Sequence, residues 1–183
     1  MALYTLQQKL SLSSLDISHK TFKYKLEEPY RNKISEQLKN ISKSNSGKLT
    51  FYSNIIDLNE YKLQNYLELP LKKSERTILT KLRISAHTLH IEMGRYSRPR
   101  IPREKRVCHF CKFFIENENH FVLYCPSYDQ CRLQYYDIFN AQCYMKENPI
   151  NDIINPTSIR TARRVCNFLK KCFEIRKENL QQT

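Results

Sequence analysis

Cys108-His109-Phe110-Cys111-Lys112-Phe113-Phe114-Ile115-Glu116-Asn117-Glu118-Asn119-His120-Phe121-Val122-Leu123-Tyr124-Cys125 is the stretch that decides this fold. Cys108 and Cys111 have the spacing of a tight knuckle that turns two sulfurs toward one ion. His120 and Cys125, separated by four residues, need a helical turn or a loop to reach the same ion. Three thiols and one imidazole make a complete set of soft ligands for a tetrahedral structural zinc. The competing reading is a set of ordinary buried thiols with a core histidine. Two ligand pairs within eighteen residues favour the metal. His109 lies inside the knuckle and points away from the ion if both sulfurs bind it. Cys131 is expected to pack. The polar run Glu116 to Asn119 reads as an exposed loop over the site, with Phe113, Phe114 and Ile115 as its apolar cover.

Outward from the knuckle, composition sets the limits. The chain has 183 residues, a formal charge of +13, two glycines, no tryptophan and twelve tyrosines. Isolated glycines exclude a Gly-rich phosphate loop. No apolar run is long enough to span a membrane, and the N-terminus lacks the pattern of a signal peptide. Seven cysteines, an odd number, fit a reducing compartment better than a secreted disulfide frame. The expected location is therefore intracellular, in nucleus or cytoplasm. The charge excess calls for a polyanionic partner, most simply RNA or DNA.

The fold class expected is mainly α: a small helical domain with the Cys-Cys-His-Cys zinc knuckle embedded in it. Four segments are expected: residues 1–47 as an N-terminal arm and helix, 48–106 as a helical segment with a basic linker, 107–145 as the knuckle and following helix, and 146–183 as a C-terminal helix. Tyr30, Ile34, Leu38 and Ile41 share one helical face, with Pro29 in the first turn. Tyr61 to Leu69 reads as a helix stopped by Pro70. Residues 72–93 read as one helix, capped by Ser74, striped by Ile78, Leu82, Ala86, Leu89 and Met93, and ended by Gly94 in the left-handed region. Lys72, Lys73, Arg76, Lys81 and Arg83 fall on its outer side, and His87 and His90 are taken as capping or solvated. A further helix is expected over Tyr128 to Phe139. The last begins at Thr157 or Ser158, its stripe Ile159, Ala162, Cys166, Leu169 and Phe173 surrounded by basic residues that include Arg176.

Between the long helix and the knuckle runs a basic segment. Arg95, Arg98, Arg100, Arg103, Lys105 and Arg106 stand with Tyr96 among them, against a single Glu104. Pro99 and Pro102 favour an extended course. Such a strand can follow a phosphate backbone while the ring stacks on a base. These seven residues are the candidate nucleic-acid contacts.

Several of these motifs resemble a known family. Leu79-Thr80-Lys81-Leu82-Arg83-Ile84-Ser85-Ala86-His87, then Glu92-Met93-Gly94-Arg95-Tyr96-Ser97-Arg98-Pro99, then the knuckle running on into Pro126-Ser127-Tyr128, resemble the C-terminal region of non-LTR retrotransposon polyproteins. Cys166-Asn167-Phe168-Leu169-Lys170-Lys171-Cys172-Phe173-Glu174-Ile175-Arg176 is similar to the end of such reading frames. The resemblance spans roughly residues 48–177. It implies a zinc-binding domain downstream of a reverse transcriptase, in contact with nucleic acid, with Cys108, Cys111, His120 and Cys125 as ligands. Other retroelement proteins are then possible partners. The chain has no Tyr-x-Asp-Asp and no restriction-like endonuclease signature, so it reads as a non-enzymatic tail of a larger element, functional or decayed. Two other classes compete. One is a zinc hydrolase using Glu116 or Glu118 as general base. The other is a protein–protein adaptor.

Overall fold

The computed structural model describes residues 19–44, 47–56 and 63–181. Residues 1–18, most of the expected N-terminal arm, lie outside them. The protein is mainly helical, and among the described residues the only β pairing is an isolated antiparallel bridge between Val107 and Ile115. The chain falls into two compact units that divide between residues 61 and 62.

In the first unit, α1 (His19–Ser44) packs on α2 (Thr50–Ile55). Pro29 lies inside α1 rather than at its first turn, because the helix begins ten residues earlier. Only part of the expected stripe is covered: Leu38 is buried while Tyr30 and Ile34 are exposed. Gly47 turns the chain between the helices at φ 108°, a conformation that costs glycine little.

The second unit is built on α9 (Ile159–Gln181). Ser158 caps it, its hydroxyl accepting from the Thr161 N–H at 3.1 Å. Ala162, Val165, Cys166, Phe168, Leu169 and Cys172 are buried at the three- and four-residue spacing of one face. Against that face lie α4 (Lys73–Arg83), α6 (Asp129–Gln134) and α8 (Pro149–Ile154). Between them come the short α3 (Asn65–Glu68), α5 (His90–Tyr96) and α7 (Ala141–Tyr144). Of the helix expected at Tyr61 to Leu69, the described residues show only α3, and Leu69 is extended before Pro70. The expected helix Tyr128 to Phe139 ends at Gln134. The chain then turns so that Tyr135 and Phe139 both reach the Phe168 ring, at 5.7 and 4.5 Å between centroids. No helix among the described residues is long and apolar enough to cross a membrane.

Residues 72–93 are not one helix. Glu75 caps α4 by accepting from the Lys72 N–H at 2.8 Å, and Ser74 is exposed without that role. At the other end, the Ala86 N–H donates to the Lys81 carbonyl at 2.7 Å and the Ser85 N–H to the Leu82 carbonyl at 3.2 Å. This is a Schellman stop with a serine in the position usually held by glycine, at φ 53°. The chain restarts as α5, and Gly94 sits inside it rather than after it. A Cβ at Gly94 would stand 2.8 Å from Cγ and 2.9 Å from Cδ of Arg106. Glycine is needed there for close approach, not for a left-handed turn.

Candidate metal centre

Two local structures deliver the two ligand pairs. The bridge between Val107 and Ile115 is flanked by bonds from the Cys108 N–H to the Phe114 carbonyl at 2.7 Å and from the Glu116 N–H to the Arg106 carbonyl at 2.9 Å. Lys112 adopts φ 61° and its N–H reaches back to the Cys108 carbonyl at 3.1 Å. The result is a tight hairpin with both knuckle sulfurs at its tip. The second pair comes from a turn that starts where the Asn117 side chain accepts the His120 N–H at 2.8 Å. His120–Tyr124 is a single π-helical turn, closed by the Cys125 N–H on the His120 carbonyl at 2.7 Å. Five residues of α-helix would leave these two side chains about 140° apart around the axis. The wider i→i+5 closure brings them to one side.

The four ligand atoms lie within 4.8 Å of one another, and this group could hold a metal ion. Cys108 Sγ is 3.7 Å from Cys125 Sγ, and Cys111 Sγ is 3.3 Å from His120 Nε2. Cys108 and Cys125 are fully buried, His120 nearly so, and Cys111 partly exposed. The hydrogen bond to Cys125, with burial, pushes the Cys108 thiol up to about 12, and the same bond holds Cys125 below its ordinary value. His109 stays outside the cluster and lies against the His90 ring, 4.4 Å between centroids. Cys131 is buried.

The carboxylates beside the cluster differ most from expectation. Glu116 and Glu118 were expected on an exposed loop, yet 1% and 4% of their surfaces are accessible. Glu116 accepts from both terminal guanidinium nitrogens of Arg176, at 2.5 and 2.9 Å, and from the His90 N–H at 2.6 Å. Burial raises its pKa while Arg176 opposes that rise. The Cys108 thiol points to the same carboxylate at 3.9 Å. Glu118 accepts from the Ser85 hydroxyl at 2.5 Å and is 2.9 Å from His87 Nε2. Burial works against its charge, but the bonds to His87 and Ser85 prevail and hold its pKa below the ordinary value. The two glutamates bolt the knuckle to α9 and to the α4–α5 turn. His87 and His90 are structural partners rather than solvated ends, since His90 Nδ1 meets the Val107 carbonyl at 2.8 Å. Arg132, which the sequence reading did not single out, supports the π-turn. It donates to the Val122 carbonyl at 3.2 Å and to the Cys125 carbonyl. A π-turn shifts the register of its carbonyls, and a buried guanidinium supplies the donors they need.

The basic segment does not act as a uniform extended strand. Its first residues close α5, and Arg103–Lys105 is a 3-10 turn. Tyr96, Arg98, Arg100 and Lys105 are exposed, and Arg103 partly so. Arg95 is paired with Glu92 at 3.0 Å. Arg106 is turned inward, 3% exposed, donating to the carbonyls of Ile101 at 2.9 Å and Ile91 at 2.8 Å. Placing Arg106 among the nucleic-acid contacts is therefore corrected. Arg83 and Arg176 likewise leave the outer faces assigned to them. Arg83 is buried, donating to the Ile154 carbonyl at 3.0 Å, Asn155 Oδ1 at 2.8 Å and Gln64 Oε1 at 2.5 Å. Phe113 and Phe114 are largely exposed, and of the expected cover the Phe114 ring borders the site, 5.7 Å from the His120 ring between centroids. No protein-family model, curated protein or solved structure matches this chain.

Proposed function

We propose that this chain is a zinc-stabilised nucleic-acid-binding module, akin to the C-terminal region that follows the reverse transcriptase in non-LTR retrotransposons. The observation that carries the reading is the convergence of Cys108, Cys111, His120 and Cys125 onto one point. Zinc–sulfur and zinc–nitrogen bonds of about 2.3 and 2.0 Å in a tetrahedron give S–S edges of about 3.8 Å and S–N edges of about 3.5 Å. The 3.7 and 3.3 Å separations match those edges. Four protein ligands complete a tetrahedron, which favours a structural ion over a catalytic one. Glu116 and Glu118 are occupied by Arg176, His87 and Ser85, which argues against a general-base role for either.

The basic residues divide in a way that suits this role. Arg83, Arg106, Arg132 and Arg176 are buried and hold the fold. Tyr96, Arg98, Arg100, Arg103 and Lys105 remain at the surface, directly before the knuckle, where phosphates can reach them. The test is nucleic-acid affinity as a function of salt. Wild type is expected to bind with a steep salt dependence. Arg98→Ala, Arg100→Ala and Arg103→Ala together should weaken binding and make the log–log slope shallower by roughly two to three. An unchanged slope would move the contact elsewhere. Salt-insensitive capture of a protein with no nucleic-acid affinity would replace the reading with an adaptor.

A further inference from the structure

The tip of the knuckle carries two adjacent, largely exposed phenylalanines. Phe113 is 80% exposed and Phe114 64%. Burying such rings is favourable, so leaving two adjacent ones in water on a rigid hairpin asks for a partner. The neighbouring Phe110 shows the contrast. Its ring meets Tyr128 edge-on at 6.1 Å and the Arg176 guanidinium at 5.5 Å.

The hairpin holds the exposed pair in place. The Phe114 carbonyl accepts from Cys108, and the Phe114 ring leans on the His120 imidazole at 5.7 Å. Lys112, exposed, stands beside Phe113. From Lys105 to Asn119 the only acidic residues are Glu116 and Glu118, both buried. Every exposed charge on this stretch is therefore positive. Flat aromatic surface, carried on a metal-site hairpin with the exposed Lys112 beside it, is complementary to unpaired nucleobases on a phosphate chain. A duplex offers no free base face along its length, only at its two ends.

We propose that Phe113 and Phe114 are a stacking platform for unpaired bases, so that the module prefers single-stranded nucleic acid over duplex. This rests on the nucleic-acid reading above and specifies its substrate class. The phosphates on either side of the stacked bases would run past Lys112 and toward Lys105.

The chain has no tryptophan, so Phe113→Trp places a single tryptophan at the tip, which can be excited selectively over the twelve tyrosines. A single-stranded homopolymer oligonucleotide should quench that fluorescence, and a blunt duplex of the same length should not. Phe113→Ala with Phe114→Ala should weaken single-strand binding by roughly tenfold or more. Duplex binding and the salt slope should stay near wild type, since no charge is removed. Metal content, measured on the same samples, should be retained because neither ring supplies a ligand atom, and Phe113→Ala alone leaves the Phe114 contact with His120 in place. Equal loss for single strand and duplex, or no loss at all, would overturn the stacking proposal. If the triple Arg98, Arg100 and Arg103 variant still lost affinity in that case, the broader nucleic-acid reading would stand. A blue shift on anionic phosphatidylserine vesicles without any response to the oligonucleotide would assign the tip to a lipid surface and overturn it. Absence of wild-type binding to either nucleic acid at low salt would overturn both readings together.

Discussion

Replacing Arg176 by methionine removes the cation on which the knuckle is anchored to α9. Methionine keeps much of the packed stem, so the loss is mainly electrostatic. Glu116 then loses two charge-assisted bonds, at 2.5 and 2.9 Å, and the Thr88 carbonyl loses a donor at 2.9 Å. Each such bond is worth about 1.5–3 kcal/mol, and breaking one side of a buried pair costs about 3–5 kcal/mol. Only 1% of the Glu116 side chain and 3% of the Arg176 side chain are accessible, so water cannot make good the loss. With a urea dependence of about 2 kcal/mol per molar, the midpoint should fall by roughly 2 M. The single variant should also be pH-sensitive in a defined sense. Burial raises the Glu116 pKa in the folded state, and without Arg176 nothing nearby of comparable strength opposes it. A carboxyl with a raised folded pKa binds its proton more tightly when folded. Its stabilising contribution is present below the unfolded pKa and is lost as pH rises through the folded value. The deficit of Arg176→Met should therefore be larger at neutral pH than in mild acid. Glu116→Gln with Arg176→Met should recover part of the loss, because no unpaired charge is left inside. A midpoint within 0.3 M of wild type for Arg176→Met, set against the expected shift of roughly 2 M, would refute the assignment of a buried anchoring pair.

Three further outcomes follow from other contacts. Gly94→Ala would stabilise an ordinary helix interior by up to about 1 kcal/mol, but here its Cβ meets the Arg106 stem at 2.8 Å. A loss of about 1–3 kcal/mol in thermal or urea denaturation is expected, and a gain would show that Arg106 is not fixed there. Cys111→Ser should abolish stoichiometric metal in elemental analysis and lower the melting temperature, whereas unchanged stoichiometry would remove Cys111 from the ligand set. Arg132→Met strips the donors from the Val122 and Cys125 carbonyls, so weaker metal retention against a chelator is expected. Retention equal to wild type would mean the π-turn does not depend on Arg132.

The helical class and the four clustered ligands were legible because each leaves a periodic or spaced signature. Ala162, Cys166 and Leu169 repeat along one face, and Cys-x2-Cys with His-x4-Cys has few other uses. The buried cations were not legible. Arg83, Arg106 and Arg176 stand in runs of lysine and arginine that read as solvated faces, and only tertiary partners distinguish them. Glu116 and Glu118 misled for the same reason, since a polar run beside asparagines looks like a loop until Arg176 and His87 arrive from distant sequence. The Gly94 assignment failed because a glycine after a helical stripe suggests a stop. The actual stop uses Ser85, whose left-handed conformation is held in part by its bond to Glu118. Phe113 and Phe114 read as apolar cover for the metal because hydrophobic residues near such a site usually shield it, yet both rings face largely into solvent.

Metal content of the purified protein, with a melt before and after chelation, tests the central claim most directly. One tightly held zinc per chain and loss of the cooperative melt of the second unit on chelation are expected. No bound metal, with the cooperative melt unchanged by chelator, would contradict it and leave Cys108, Cys111, His120 and Cys125 as packing residues alone.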